Sequence, residues 1–175
     1  MHEPTNTRDH QPKWRPLRQY LTIGIMLFFT LPCVTLSEAL AADIAIIVNN
    51  QNPTTNLSWT ALVRILKLDK LYWEGNGKIY LVLRETGSEE KESVLQKVYK
   101  TNDVGLKKLW LGKINREEIV EFPRVLNSNE AIIRFVNQVP SAIGFIDASY
   151  ADSRVKALRI DGYLPGDEKY PLGDE

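Results

Sequence analysis

The sequence predicts an α/β protein with a mainly parallel sheet flanked by helices. Short β-branched runs alternate with segments whose apolar residues recur at helical spacing, in the order strand, helix, strand, three helices, two strands. The first run, residues 43–48, is almost continuously apolar, which is typical of a strand buried on both faces. With 43% hydrophobic and 25% charged residues, the chain has the composition of a folded domain.

The first elements follow from local patterns of capping and turn residues. Ser58 is placed to cap a helix over residues 59–66, whose apolar side chains share one face. The Gly-Asn-Gly turn at 75–77 leads into a second strand over 78–83. Ser88 then caps a helix over 89–99 that carries acidic residues in its first turn, where the helix dipole favours them.

The second half of the chain is read in the same way. Helices are expected over 102–111 and 131–139, with Ser128 as the cap of the latter and Pro140 as its end. Strands follow over 142–146 and 155–160. Residues 161–175 are rich in glycine and proline and are predicted to form a loose C-terminal tail. The folded domain is therefore expected to span residues 42–160.

Residues 1–41 have the layout of a secretory signal peptide. Basic residues precede an uncharged apolar run over 21–36, and the small-residue triplet at 39–41 follows it. The alternative is an uncleaved anchor helix, which needs about 20 apolar residues. Because the run is shorter and contains Pro32, cleavage and export to the periplasm are expected, with membrane anchoring as the alternative.

The residue types left after the leader restrict the possible chemistry. His2, His10 and Cys33 all lie in the leader, so no Ser-His-Asp triad, Cys nucleophile or zinc site is expected in the remainder. The leader holds four of the 22 basic and three of the 22 acidic residues, which leaves a net charge of −1 and argues against a nucleic-acid partner. These observations predict binding rather than catalysis, with no metal or cofactor.

The segment 84–89 is the best candidate for a binding site. Arg84 ends a predicted strand, and Thr86, Gly87 and Ser88 lead into a helix, where backbone amides and a guanidinium favour an anion. The alternative is an ordinary capped helix start, in which Gly87 permits the turn and Ser88 binds an amide.

Two further observations bear on this site. Three glutamates, at 85, 89 and 90, lie within a few residues of Arg84 and would oppose an anion if they faced it, although first-turn acids usually point away. Ser141 and, more weakly, Asn129 are additional polar candidates for the same cleft.

Core packing is the favoured role of the tryptophans at 59, 73 and 110.

Four segments together resemble the phosphate-binding proteins of ABC transporters, and more closely the short secreted chains related to them. They are Leu57-Ser58-x-x-x-Leu62-x-x-Ile65-Leu66, Trp73-x-Gly75, Arg84-x-x-Gly87-Ser88 and the run Ser-Ala-Ile-Gly-Phe-Ile over 141–146. The order and spacing of these segments cover residues 44–150 and carry more weight than any one motif. The resemblance implies one lobe of a type II periplasmic binding protein-like fold.

The resemblance also implies a function. A small anion, with phosphate first, would be captured without chemistry by Arg84, Thr86, Gly87, Ser88 and Ser141, and an ABC transporter permease or a periplasmic sensor would be the partner. Two departures stand out: a carboxylate replaces the family's Thr hydroxyl after Gly87-Ser88, and the chain has residues for about one lobe. The alternative is an interaction module that docks to a periplasmic sensor, transporter or channel without a small ligand.

Overall fold

A computed structural model describes residues 43–173 and contains a five-stranded sheet covered by helices. The strands are β1 (Ile44–Asn49), β2 (Asn56–Leu57), β3 (Tyr72–Trp73), β4 (Asn76–Lys78), β5 (Tyr80–Arg84), β6 (Arg124–Leu126), β7 (Ala142–Asp147), β8 (Val155–Ala157) and β9 (Arg159–Ile160). The α-helices are α1 (Trp59–Leu66), α2 (Glu89–Val94), α3 (Asp103–Asn115) and α4 (Asn129–Gln138).

The main sheet has the strand order β6-β5-β7-β1-β8. Strand β5 pairs in parallel with β6 and β7, whereas β1 runs antiparallel to both of its neighbours, β7 and β8. Four of the five strands therefore point the same way, which confirms the predicted mainly parallel α/β class. Strand β1 is buried along its whole length as predicted, but its direction is reversed, because burial on both faces does not encode strand direction.

Alternate side chains of β1 enter two separate hydrophobic cores. Ile46 and Val48 belong to the larger core, which contains buried residues of α1, α2 and α3. Ala45 and Ile47 belong to the smaller core, formed with the inner face of α4. The β-branched run at the start of the domain thus joins both helical layers to one sheet.

The helix α4 packs closely on strand β7 at Gly144. A Cβ built on Gly144 would lie 2.8 Å from Cγ1 of Val82 and 2.9 Å from Cγ2 of Ile132. Both distances are shorter than van der Waals contact allows. The two side chains are fully buried, so neither has free space to move into. Glycine at 144 therefore sets how near the helix and the sheet approach.

We expect Gly144→Ala to lower the free energy of unfolding by about 1–3 kcal/mol, because it overpacks this layer. Gly112→Ala is the matched control, since a Cβ at this position in α3 meets the flexible guanidinium of Arg116 at 3.2 Å and alanine favours a helix. Urea unfolding of both variants measures the effect. Equal stability of Gly144→Ala and the wild type would contradict the close packing.

Several boundaries differ from the sequence prediction for identifiable reasons. The helix expected over 89–99 is α-helical only to Val94 and continues as a wider π-helical turn over Leu95–Tyr99. The last predicted strand is divided, because Leu158 lies between β8 and β9 and β9 pairs with β2 in a separate two-stranded sheet. The edge strand β6 has no apolar alternation, and the sequence pattern predicts no element at residues 124–126.

The C-terminal segment is not loose over its described part, 161–173. Tyr170 and Leu172 are buried in the larger core, and the hydroxyl of Tyr170 donates to the carbonyl of Ile44 at 2.8 Å. The ammonium of Lys97 also donates to the carbonyls of Leu172 and Gly173. The glycines and prolines of this segment form turns that return two apolar side chains to the core, so the compact domain extends past residue 160.

Removing the Leu172 side chain should destabilise the domain as strongly as a core truncation elsewhere. Leu172 has 0% exposure, so we expect Leu172→Ala to cost about 2–5 kcal/mol of unfolding free energy. Glu168→Ala, on the exposed part of the same segment, should change it by less than about 0.5 kcal/mol. Chemical unfolding of the two variants tests this prediction. Equally small effects of both substitutions would support a loose tail instead.

The predicted leader, residues 1–41, lies outside the described residues. Within residues 43–173, none of the helices combines the length and the apolar character needed to span a membrane.

Candidate anion-binding site

The candidate segment lies where strand β5 ends. Arg84 is the last residue of β5 and is paired with Leu126 of β6, and the chain then turns through residues 85–88 into α2. The first residue of α4, Asn129, comes three positions after the end of β6 and lies at the same end of the sheet. Parallel pairing of β5 and β6 thus brings two helix starts beside one arginine.

Thr86, Gly87 and Ser88 build the turn. Gly87 has a φ of +86°, a left-handed conformation that glycine adopts without strain. Ser88 caps α2 by accepting from the backbone N–H of Lys91, and its hydroxyl donates to the carbonyl of Glu85 at 3.1 Å. The sequence left two interpretations of this segment, an anion site and an ordinary capped helix start. The structure shows the cap, and a ligand role for Ser88 remains a prediction.

The Arg84 guanidinium is paired with a carboxylate of its own chain. Its Nε lies 3.3 Å from Oε2 of Glu90, and the two side chains are only 11% and 10% exposed. Glu85 and Glu89, in contrast, are exposed. The expectation that first-turn acids point away holds for Glu89 but is wrong for Glu90, because the second residue of α2 faces the strand end rather than solvent.

Glu90 is held in its charged form. Burial alone raises the pKa of a carboxyl, but hydrogen bonds from its own backbone N–H and from the side chain of Asn129, together with Arg84, hold the pKa of Glu90 below its ordinary value. At neutral pH the Glu90 side chain therefore carries a negative charge close to Arg84 and Asn129. The weak candidate Asn129 is brought into the site by its contact with that charge.

A second ion pair lies beside the first. The ammonium of Lys91, 4% exposed, is 2.7 Å from Oδ1 of Asp103 at the start of α3, and it also donates to the hydroxyl of Thr86 at 3.3 Å. Lys107 contacts the other oxygen of Asp103 at 2.8 Å. The ammonium groups of Lys107 and Lys91 lower the pKa of Asp103 to about 2. The Thr86 hydroxyl is thereby engaged within the chain.

The Asp103 pair should make stability depend on acid pH. Because the pKa of Asp103 is lower in the folded state than in the unfolded state, its stabilisation is complete above about pH 4 and is lost as the pH falls towards 2. We expect Asp103→Asn to be less stable than the wild type at pH 7, and the gap to close between pH 4 and pH 2. The exposed Glu85→Gln is the control, and thermal unfolding against pH measures both. A gap that stays constant down to pH 2 would contradict this assignment.

Some buried polar atoms near Arg84 lack hydrogen-bond partners among the described residues. Nη1 of Arg84 is one of them, and Oδ1 of Asn129 is another. The Nε of Arg84 has a charge contact with Glu90 without an aligned hydrogen bond. An unsatisfied buried donor or acceptor costs about 1–3 kcal/mol. Two donor nitrogens of Arg84 and one acceptor oxygen of Asn129 therefore have no hydrogen bond among the described residues.

Ser141 does not belong to this site. It precedes β7, and the parallel register pairs the next residue, Ala142, with Tyr80 at the start of β5. Arg84 lies four residues further along β5, or about 13 Å at 3.3 Å per residue. The carbonyl of Ser141 accepts hydrogen bonds from the backbone of Tyr80 and from Nε1 of Trp73. The prediction that Ser141 contacts the ligand beside Arg84 is therefore wrong, because strand register cannot be derived from local sequence.

The opposite end of β5 carries an apolar groove of about 750 Å³. It lies between the β3–β4 hairpin, the start of β5, the segment before β6 and the end of α4. Several large side chains that line it are exposed, among them Tyr72 at 63%, Val120 at 89% and Phe122 at 47%. Trp73 and Trp110, in contrast, are buried in the core as predicted.

The fold is similar to solved phosphate-binding proteins. An ABC-type phosphate transport receptor from Vibrio cholerae matches at 25% identity with a TM-score of 0.60, over 76% of this chain and 55% of the receptor. The chain also matches PstS from Borrelia burgdorferi at 21% identity and a TM-score of 0.58, over 75% and 54% of the two chains.

The resemblance to phosphate-binding proteins of ABC transporters is confirmed. A third match, to a Clostridium perfringens protein assigned as a phosphate ABC transporter substrate-binding protein and solved with bound phosphate, has 24% identity and a TM-score of 0.58 and covers 71% and 48%. The chain thus spans about half the length of these proteins, in agreement with a single lobe. No protein-family model matches the sequence, and no curated protein matches it closely.

The sequence missed the residues that complete the site. The sequence pattern indicates Glu90 only as one of three acids near Arg84, and it does not indicate Lys91 or Asp103 as part of the site. Local spacing could not indicate the role of Glu90, because the first-turn residues Glu89 and Glu90 differ only in what packs against them. The partner of Lys91 lies twelve residues away on another helix, and local spacing could not indicate that contact.

Proposed function

We propose that this chain is an exported solute-binding lobe that holds a small anion, phosphate first, at the end of strand β5 without performing chemistry. The observation that carries the proposal is the buried Arg84 guanidinium, paired with Glu90 and with Nη1 lacking a partner among the described residues. A guanidinium binds the oxygens of phosphate through charge-assisted hydrogen bonds. The similarity to proteins named for phosphate transport supports this choice of ligand.

The proposal extends to location and partner. The predicted leader would direct the chain to the periplasm, with an uncleaved anchor as the alternative, and an ABC transporter permease or a periplasmic sensor would receive the bound lobe. A catalytic role is not proposed, because residues 42–175 contain neither histidine nor cysteine. The solved proteins that share the fold are named as receptors and binding proteins.

Calorimetric titration with phosphate, and separately with sulfate, tests the proposal on protein produced from the full sequence. We expect heat of binding with phosphate and an affinity at least about tenfold lower for Arg84→Gln, which removes a charged contact worth about 1.5–3 kcal/mol. Arg134→Gln is the matched control, because Arg134 is 64% exposed on α4.

Circular dichroism must accompany these titrations. Arg84→Gln leaves the buried Glu90 carboxylate without its cation. Such a change lowers the free energy of unfolding by about 3–5 kcal/mol. A folded Arg84→Gln variant that binds phosphate as tightly as the wild type would refute the site. Absence of binding heat in the wild type with either anion would refute anion capture.

The apolar groove favours a second candidate function, an interaction module. Exposed large apolar side chains grouped around a groove are typical of a protein-docking surface. The groove lies at the end of β5 opposite Arg84, so docking to a periplasmic sensor, transporter or channel would not require a small ligand. Wild-type protein that binds neither anion would favour this candidate over the first.

A further inference from the structure

The groups around the Glu90 carboxylate form a set that suits an anion. They are its own backbone N–H, the side-chain amide of Asn129 and the guanidinium of Arg84. Donors of this kind would also bind a phosphate or sulfate oxygen, and an ionised partner makes such hydrogen bonds about twice as strong as neutral ones. The site is therefore already filled by an anion that belongs to the chain.

The carboxylate is held where a free anion would have to enter. Its side chain is 10% exposed, and that of Arg84 is 11% exposed, so the pair leaves little of the guanidinium open to solvent. Two negative charges within a few ångströms of each other repel strongly in a partly buried site. A free anion can thus reach Arg84 fully only when Glu90 moves away or loses its charge.

Glu90 differs in this respect from the acidic residues next to it. Glu89 precedes it in α2 and is exposed, as is Glu85 in the turn. Removal of either charge would alter the field at the surface, which solvent and salt screen. Removal of the Glu90 charge would instead remove the anion that is paired with the guanidinium.

We propose that Glu90 is an internal competitor that occupies the anion site and limits its affinity for free phosphate. This inference rests on the proposed function of the same site. In the wild type, a phosphate ion must displace the Glu90 carboxylate before it can bind the guanidinium of Arg84. The affinity for phosphate therefore depends on this displacement as well as on the hydrogen-bond donors of the site. A partner that draws Glu90 away from Arg84 would increase anion binding.

The test compares Glu90→Gln with Glu89→Gln by calorimetric titration with inorganic phosphate and with sulfate. Glutamine has the shape of glutamate without its charge, so Glu90→Gln should bind phosphate roughly tenfold or more tightly than the wild type. Glu89→Gln removes the same charge one residue earlier and should stay within about twofold, because its side chain is exposed. The double variant Arg84→Gln/Glu90→Gln should lose the gain.

A second variant guards against loss of folding in Glu90→Gln. Glu90→Asp keeps the counter-charge of Arg84 but shortens its reach by one methylene, so it should bind phosphate more tightly than the wild type and less tightly than Glu90→Gln. Equal affinities of the wild type and a folded Glu90 variant would overturn the inference and leave the proposed function standing. Binding by Glu90→Gln but not by the wild type would support the inference and refute anion capture by the native chain. Absence of binding in every variant would overturn both.

Discussion

Strand β1 is buried on both faces, and this constraint organises the layers of the domain. Its alternate side chains enter two cores, so one helical layer must cover each face of the sheet. The C-terminal segment completes the larger core with Tyr170 and Leu172, and the hydroxyl of Tyr170 donates to the backbone of Ile44. The segment is ordered because its two apolar side chains gain more from burial than its turns cost in entropy.

The same architecture explains why charge gathers at the end of β5. Arg84 lies where the strand leaves the apolar layers, and two helices start there, so its guanidinium is buried beside polar backbone and side-chain groups. A buried cation needs a counter-ion. Glu90 supplies it for Arg84, and Asp103 supplies it for Lys91. The ion pair that stabilises the fold is thus also the one that we propose competes with a free anion.

The fold relates this chain to solved phosphate-binding proteins, yet it covers about half of their length. Its two ends differ in character. One end has paired charges, a glycine turn and a few unpartnered polar atoms, whereas the other has an apolar groove with exposed side chains such as Val120. The proposed anion capture and the alternative docking function therefore concern separate surfaces, and a change at one can leave the other intact.

The sequence by itself determined the α/β class, the caps Ser58, Ser88 and Ser128, and the place of Arg84 at the end of a strand, because periodicity and capping are local properties. Only the tertiary structure decided which groups meet. The reversed direction of β1, the distance of Ser141 from the site and the burial of Leu172 depend on strand register and core packing, which connect residues far apart in the chain. The direction of the Glu90 side chain was also decided only by the tertiary structure. Whether a residue in the first turn of a helix faces solvent or a neighbouring element depends on what packs against that helix.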